Sequence, residues 1–208
     1  MQSLKPDDAH NRDLVDRVHP SDWISPTPAE RYNLVVVGGG TAGLIAALGS
    51  AGLGARVALV ERHLLGGDCL VHGCVPSKGV LAAAHTAHAT RHAAAMGIHA
   101  GDVSVDFAAA MERMRRIRAG ISHHDSAKKL ADAGVDVFFG AGRFTGTNQL
   151  AVGELTLDFA RAVICTGARP MRPPIEGLDE VEVLDNEGIF ELTELPERLV
   201  VIGAGPIG

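Results

Sequence analysis

The stretch from Asn33 to Arg62, NLVVVGGGTAGLIAALGSAGLGARVALVER, limits what the chain can fold into more than any other part of it. A short apolar run meets a glycine turn, an Ala/Leu-rich segment of helical length follows, and a second apolar run closes the unit. This order predicts strand, helix, strand. Gly38, Gly40 and Gly43 have the G-x-G-x-x-G spacing, directly after the first strand and opening the helix, which is the context that gives the motif meaning. Each glycine has a separate duty: a sharp turn at Gly38, approach of a pyrophosphate to the backbone at Gly40, and close helix-to-strand packing at Gly43. The helix start adds unpaired N–H donors and the positive end of its dipole. At the end of the second strand, eighteen residues past Gly43, Glu61 can accept hydrogen bonds from ribose hydroxyls, and its charge disfavours a 2'-phosphate.

Composition narrows the remaining choices. With 208 residues, 46% of them hydrophobic and 21% charged, the chain can bury one substantial core, and its 25 glycines suit tight turns and close backbone approach. A net charge of -6 argues against nucleic acid, whose phosphates are held by clustered Lys and Arg. No run approaches the roughly 20 apolar residues of a membrane span, and the N-terminus lacks a basic segment followed by an apolar one. A cytoplasmic protein is expected, with no membrane and no nucleic acid among its partners.

Residues 1–32 are polar and punctuated by Pro6, Pro20, Pro26 and Pro28, and they read as an extension, a mobile or surface-draped arm in which Trp23 is the one candidate anchor. The segment after Pro76 predicts a helix reaching Gly97. Phe107, Met111, Met114 and Ile121 recur at helical spacing and predict a further helix from a cap at Asp106 to about Ala133. Then VDVFFG reads as a strand, RFTG, NQLAV and ELTLDF as a small meander, and RAVICTG as another buried strand. A Pro-rich stretch and an acidic segment lead to RLVVIGAGPIG, a return of strand plus glycine turn. Arg113, Arg115, Arg116 and Arg118 are spread around their helix and read as an exposed face. His85, His88 and His92 read as a solvated or partner-facing stripe on an Ala-rich helix, with no carboxylate or thiol in register to make a metal site.

The segment GGDCLVHGCVPSK carries the chemistry. A bridge between Cys69 and Cys74 would close a very small loop and contribute little entropy to stability, so the pair suits redox chemistry better than architecture. A compartment without structural disulfides points the same way. Pro76 fits a first helical position, which sets Cys74 just before the helix, where the dipole favours a thiolate. Lys78 follows four residues later on the same side. A zinc site would need further grouped ligands, and Cys165, within an apolar strand, reads as a packed thiol.

These motifs resemble the class I pyridine nucleotide-disulfide oxidoreductases, the group that includes dihydrolipoyl dehydrogenase, glutathione reductase and mercuric reductase. Gly66, Gly67, Cys69, Leu70, Gly73, Cys74, Val75 and Pro76 match G-G-x-C-L-x-x-G-C-V-P. Thr166, Gly167 and Pro170, with Gly140, Gly142 and Phe144, extend the likeness from about Asn33 to Gly208. Val71, His72 and Asp68 depart from it, standing where Asn, then Val or Thr, and Thr are more familiar. The resemblance implies an α/β fold: a Rossmann-like FAD-binding domain with a parallel sheet, helices on both faces and a small antiparallel meander. It implies that the glycine turn, with Thr41 and Ala42, takes the ADP half of FAD, with Glu61 on the ribose, Gly142 near the adenine, and Thr166 and Gly167 near the phosphates. Arg62, Gly67, Asp68 and Cys69 join this set, Cys74 lies against the flavin, Cys69 faces substrate, and Lys78 approaches the flavin's N5 edge.

The same resemblance divides the chain into the extension at 1–32, the first part of a discontinuous FAD-binding domain at 33–195, and the beginning of an NAD(P)-binding domain at 196–208. Gly203, Gly205 and Gly208 form the second fingerprint, so the chain reads as cut at the start of a second Rossmann unit. The expected parent is a homodimeric enzyme passing electrons between NAD(P)H, FAD, the cysteine pair and a small-molecule or metal-ion substrate, and it is expected to resemble mercuric reductase or dihydrolipoyl dehydrogenase. The alternative is a non-catalytic FAD-binding or thiol-sensing module that works at this length.

Overall fold

The computed structural model describes residues 4–205, so Gly208 of the second fingerprint lies outside the described residues. Strands β1 (Tyr32–Val37), β2 (Val57–Glu61), β3 (Val135–Phe139), β4 (Gly142–Gly146), β5 (Gln149–Val152) and β6 (Leu155–Ile164) form one sheet in the order β3-β2-β1-β6-β5-β4. β1 runs parallel to both β2 and β6, and β2 parallel to β3, whereas β4, β5 and β6 are antiparallel. The predicted first unit is β1, helix α2 (Thr41–Gly52) and β2. The direction of strand order reverses at β1, between β2 and β6, and the carboxyl ends of these strands open there into a crevice, the usual ligand position in a parallel sheet.

Alternation along each strand sorts the side chains to two cores. Val36, Leu59 and Val137 face α1 (Ala9–Val18), α2 and α6 (Ala127–Asp132), while Val35, Val60 and Phe138 face the meander through Leu150, Val152 and Leu157. The α/β, Rossmann-like architecture is as read from the sequence. Helices cover one face, and the meander takes the other where helices were expected. One strand accounts for the change: ELTLDF and RAVI form a single β6, whose first half pairs with β5 and whose second half pairs with β1. That continuity carries the meander across the second face.

Three further boundaries differ from the sequence reading. The helix predicted from Asp106 starts as expected, with the Asp106 side chain accepting from Ala109 N–H, but this helix, α5 (Phe107–Ile121), stops short of Ala133, and Ser126 caps the separate α6. Ser122 and Ser126 bond local backbone groups at the break, which gives the chain an alternative to continued helix. Helix α4 (Cys74–Arg91) begins at Cys74, so Pro76 is its third residue, where an N–H lacks an intrahelical partner and its loss costs nothing. Residues 198–205 form no strand, and Leu199, Val200, Val201 and Ile202 are exposed, because this apolar run pairs with no other strand among the described residues.

Within the N-terminal segment, α1 is docked into the core instead of draping the surface. Leu14 and Val18 of α1 are fully buried in the helical core, and the Trp23 indole N–H donates to the Val137 carbonyl at 3.1 Å, anchoring within this chain. The arginine face is likewise half internal: Arg115 and Arg118 are buried, whereas Arg113 and Arg116 remain exposed. His85, His88 and His92 are exposed, with the rings of His88 and His92 stacked at 4.0 Å. No helix among the described residues is long and apolar enough to cross a membrane.

Candidate active site

The glycine turn works by close contact. Gly38 adopts φ +107°, and a Cβ on it would lie 2.3 Å from the Cys165 carbonyl oxygen. A Cβ on Gly43 would lie 1.8 Å from the Gly38 carbonyl oxygen, so α2 can sit against β1 only with glycine there. Gly40 faces Gly67 so closely that a Cβ on Gly67 would be 2.8 Å from the Gly40 Cα, and Gly66 N–H donates to the Gly39 carbonyl. The cysteine loop therefore meets the glycine turn through bare backbone at Gly40, Gly66 and Gly67. Thr41, Ala42 and Gly43 open α2 behind the cap at Gly40 with their N–H groups free of helical partners, and the side chains of Thr41 and Ala42 are exposed to the crevice.

Glu61 is buried at the end of β2 with both carboxylate oxygens engaged. Oε2 accepts from Gly39 N–H at 2.6 Å and Oε1 from His63 N–H at 2.7 Å, and each oxygen keeps further lone-pair capacity for a hydroxyl donor. The carboxylate thus shapes the turn as well as facing the crevice. The His63 carbonyl in turn binds the His19 ring Nδ1, and that ring stacks on Phe139 at 4.0 Å.

These elements bound a cleft of about 860 Å³. Gly38, Gly40, Thr41, Ala42, Glu61, Arg62, Gly67, Asp68, Cys69, Gly142, Thr166 and Gly167, all named as candidates from the sequence, line it together. Gly43 lies beneath the floor in its packing role, and Cys74 and Lys78 are exposed outside the lining. Sequence reasoning missed His63, Leu64, Ala141, Cys165, Arg169 and Glu187, which also line the cleft. Cys165 carried no signal beyond its apolar strand, yet it follows β6 into the crevice, its N–H bonded to the Val37 carbonyl at 2.7 Å. Glu187 arrives from an irregular segment and pairs with Arg169 across the rim.

Cys69, in helix α3 (Gly67–Val71), and Cys74, at the first position of α4, are free thiols. Hydrogen bonding with the Cys74 sulfur, then burial, pushes the Cys69 thiol up, against the opposing pull of the Thr41 hydroxyl. The two thiols are therefore close enough for each to influence the other. His72, also in the lining, is held below its ordinary value by burial, which outweighs the attraction of Glu187; its Nδ1 lies 3.9 Å from Asp68. Among the described residues no group of three or more His, Cys, Asp and Glu converges as a metal site would require.

The cleft fits an extended dinucleotide. It joins a backbone cradle that side chains would fill, free N–H donors suited to phosphate, a carboxylate suited to hydroxyl donors, and the Cys69 thiol. Residues 32–208 match the family described as pyridine nucleotide-disulphide oxidoreductase. Dihydrolipoyl dehydrogenase 2 of Haloarcula marismortui is 38% identical over 186 residues, covering 84% of this chain and 38% of that protein. Mercuric reductase of Bacillus cereus is 33% identical over 177 residues, covering 85% of this chain and 28% of its own length. Among solved structures, the HOCl-induced flavoprotein disulfide reductase RclA from Escherichia coli superposes with a TM-score of 0.62 at 31% identity, covering 79% of this chain and 35% of that one. The chain thus spans well under half the length of these relatives.

Proposed function

Since the chain belongs to the pyridine nucleotide-disulphide oxidoreductase family, whose members use FAD and NAD(P)H, we propose that its cleft holds FAD and that Cys69 and Cys74 are its redox-active pair. The observation that carries this reading is the convergence of the glycine turn, Glu61 and Cys69 on one cleft. FAD, when bound, would supply the hydride chemistry that couples a nicotinamide cofactor to the two-electron dithiol–disulfide exchange. Gly40 and Gly67 leave the backbone bare for the pyrophosphate, Thr41 to Gly43 aim N–H donors at it, and Glu61 accepts from the ribose. Gly142, Thr166 and Gly167 close the adenine and phosphate side, with Arg62 and Asp68 at the rim. Cys69, its thiol pushed up, holds its proton at neutral pH. When the pair is oxidised, two S–H bonds break, one S–S bond forms, and two protons and an electron pair leave to the acceptor.

Finer assignments follow the resemblance. Cys74 lies toward the flavin, Cys69 toward substrate, and Lys78, four residues along α4, near the flavin's N5 edge. The substrate is a dithiol, a disulfide or a soft ion such as Hg(II), for which thiolates are suited ligands. Residues 33–195 form the first part of a discontinuous FAD-binding domain, 196–208 begin an NAD(P)-binding one, and the whole protein works as a cytoplasmic homodimer.

Anaerobic reductive titration of the flavin-loaded chain tests the reading. Two electrons for the flavin and two more for a disulfide should be taken up, and Cys69→Ser or Cys74→Ser should remove the second pair. Uptake unaffected by either substitution would refute the redox role of the pair. Flavin binding without NAD(P)H-dependent turnover is expected of the 208-residue chain; binding with no second electron pair would favour a non-catalytic module.

A further inference from the structure

The two sulfurs are joined by Leu70, Val71, His72 and Gly73, and the centre of that link is held by residues remote in sequence. Val71 is the last residue of α3, so its carbonyl lacks an intrahelical donor. The Arg118 guanidinium of α5 (Phe107–Ile121) supplies one, with NH1 at 2.5 Å from the Val71 oxygen. Its NH2 donates to Asn11 Oδ1 of α1 at 2.6 Å. Asn11 is fixed in turn: its amide Nδ2 donates to the Pro6 carbonyl, and its backbone N–H to Asp8 Oδ1, each at 2.8 Å. Asp8 Oδ2 accepts from Arg115 Nε at 2.5 Å, one helical turn before Arg118. Arg118 is 2% exposed and Asn11 3%, so solvent cannot stand in for either partner.

Resting on the redox reading above, we propose that the N-terminal helix is a positioning element for the cysteine pair: Asn11 orients Arg118, Arg118 fixes the Val71 carbonyl, and the fixed link sets how readily Cys69 and Cys74 meet. The ease of closing an S–S bond depends on how far the link already holds the sulfurs in bonding geometry, because a mobile link must first be ordered. Leu70 and Val71 are anchored by apolar burial, and the Val71–His72 peptide is held on both sides, His72 N–H donating to the Asp68 carbonyl at 2.9 Å and the Val71 carbonyl accepting from the guanidinium. Arg118 and Asn11 act through Val71 and are positioning residues.

The test is the equilibrium between the dithiol and the bridge in the full chain, poised with oxidised and reduced glutathione, acid-quenched and read by mass after alkylation. Bridge formation takes two thiols and one glutathione disulfide to one protein disulfide and two reduced glutathiones. Asn11→Ala and Arg118→Lys should lower the bridge constant about tenfold, because each removes an oriented buried hydrogen bond. Asn11→Asp keeps the acceptor for Arg118 and should restore the constant to within about twofold of the parent. Leu130→Val, a core change on α6, serves as the control for lost stability and should leave the constant unchanged. Absence of any bridge in the parent chain would overturn the redox reading itself. A parent that bridges, with Asn11→Ala equal to it or Leu130→Val lowering the constant as much, would overturn the positioning role alone. Should Arg118→Lys fail to fold, Asn11→Ala decides.

Discussion

Gly43 is where a single methyl group would do most harm. Because its Cβ would fall 1.8 Å from the Gly38 carbonyl oxygen, Gly43→Ala must push α2 away from β1 and shift the N–H donors that open the cleft. A stability loss of about 1–3 kcal/mol is expected by urea unfolding, with flavin affinity reduced at least about tenfold by fluorescence titration. Glu61→Ala acts differently: it leaves the Gly39 and His63 N–H groups without their buried acceptor. About 1–3 kcal/mol should be lost for each donor left unpaired, before any effect on the ribose. Both residues were legible in the sequence because their duties follow from spacing along one strand, turn and helix. Cys165 and Glu187 were not, since their approach to the cleft depends on β6 and on an irregular segment that no local pattern marks.

Among the elements, α1 departs furthest from expectation. Its sequence AHNRDLVDRV carries few apolar residues, and the flanking prolines suggest an arm. Leu14 and Val18 nevertheless enter the core, and Val18 accepts from Leu65 N–H while Arg17 donates to the Ala119 carbonyl at 2.7 Å. Leu14→Ala should therefore cost about 2–5 kcal/mol, a core-sized loss that urea or thermal unfolding would register. A change of a few tenths would mean that α1 is only loosely docked. The strands tell the complementary story. Short apolar runs marked β1 and β2, and VDVFFG marked β3, but local pattern could not reveal that two apolar runs are one β6, because a strand's partners change along its length without a mark in its own sequence.

At the scale of the whole molecule, two groups give distinct contributions to acid stability. Burial raises the Asp8 carboxyl, but the Asn11 N–H and the Arg115 guanidinium outweigh it and hold the group below its ordinary 3.8. Its contribution is present above that pH and is lost as pH falls through the lower folded value, so Asp8→Asn should flatten the stability curve below about pH 4. His72 is depressed below 6.5 by burial. Its contribution is present above 6.5 and declines as pH falls below it, so His72→Asn should remove a slope in melting temperature just under that pH. Unchanged slopes in the two variants would assign acid sensitivity to other groups.

The amino-acid sequence alone determined the first strand, helix and strand, the glycine turn, the carboxylate that ends β2 and the paired-cysteine loop. All of these are written in spacings of a few residues and in backbone angles open only to glycine. Tertiary structure alone decided that the meander covers the second face, that the N-terminal helix belongs to the core, and that two arginines of α5 turn inward. Burying a charged or polar group requires partners to meet it, and for Arg118 they come from Asn11 and Val71, brought together only when the chain has closed on itself.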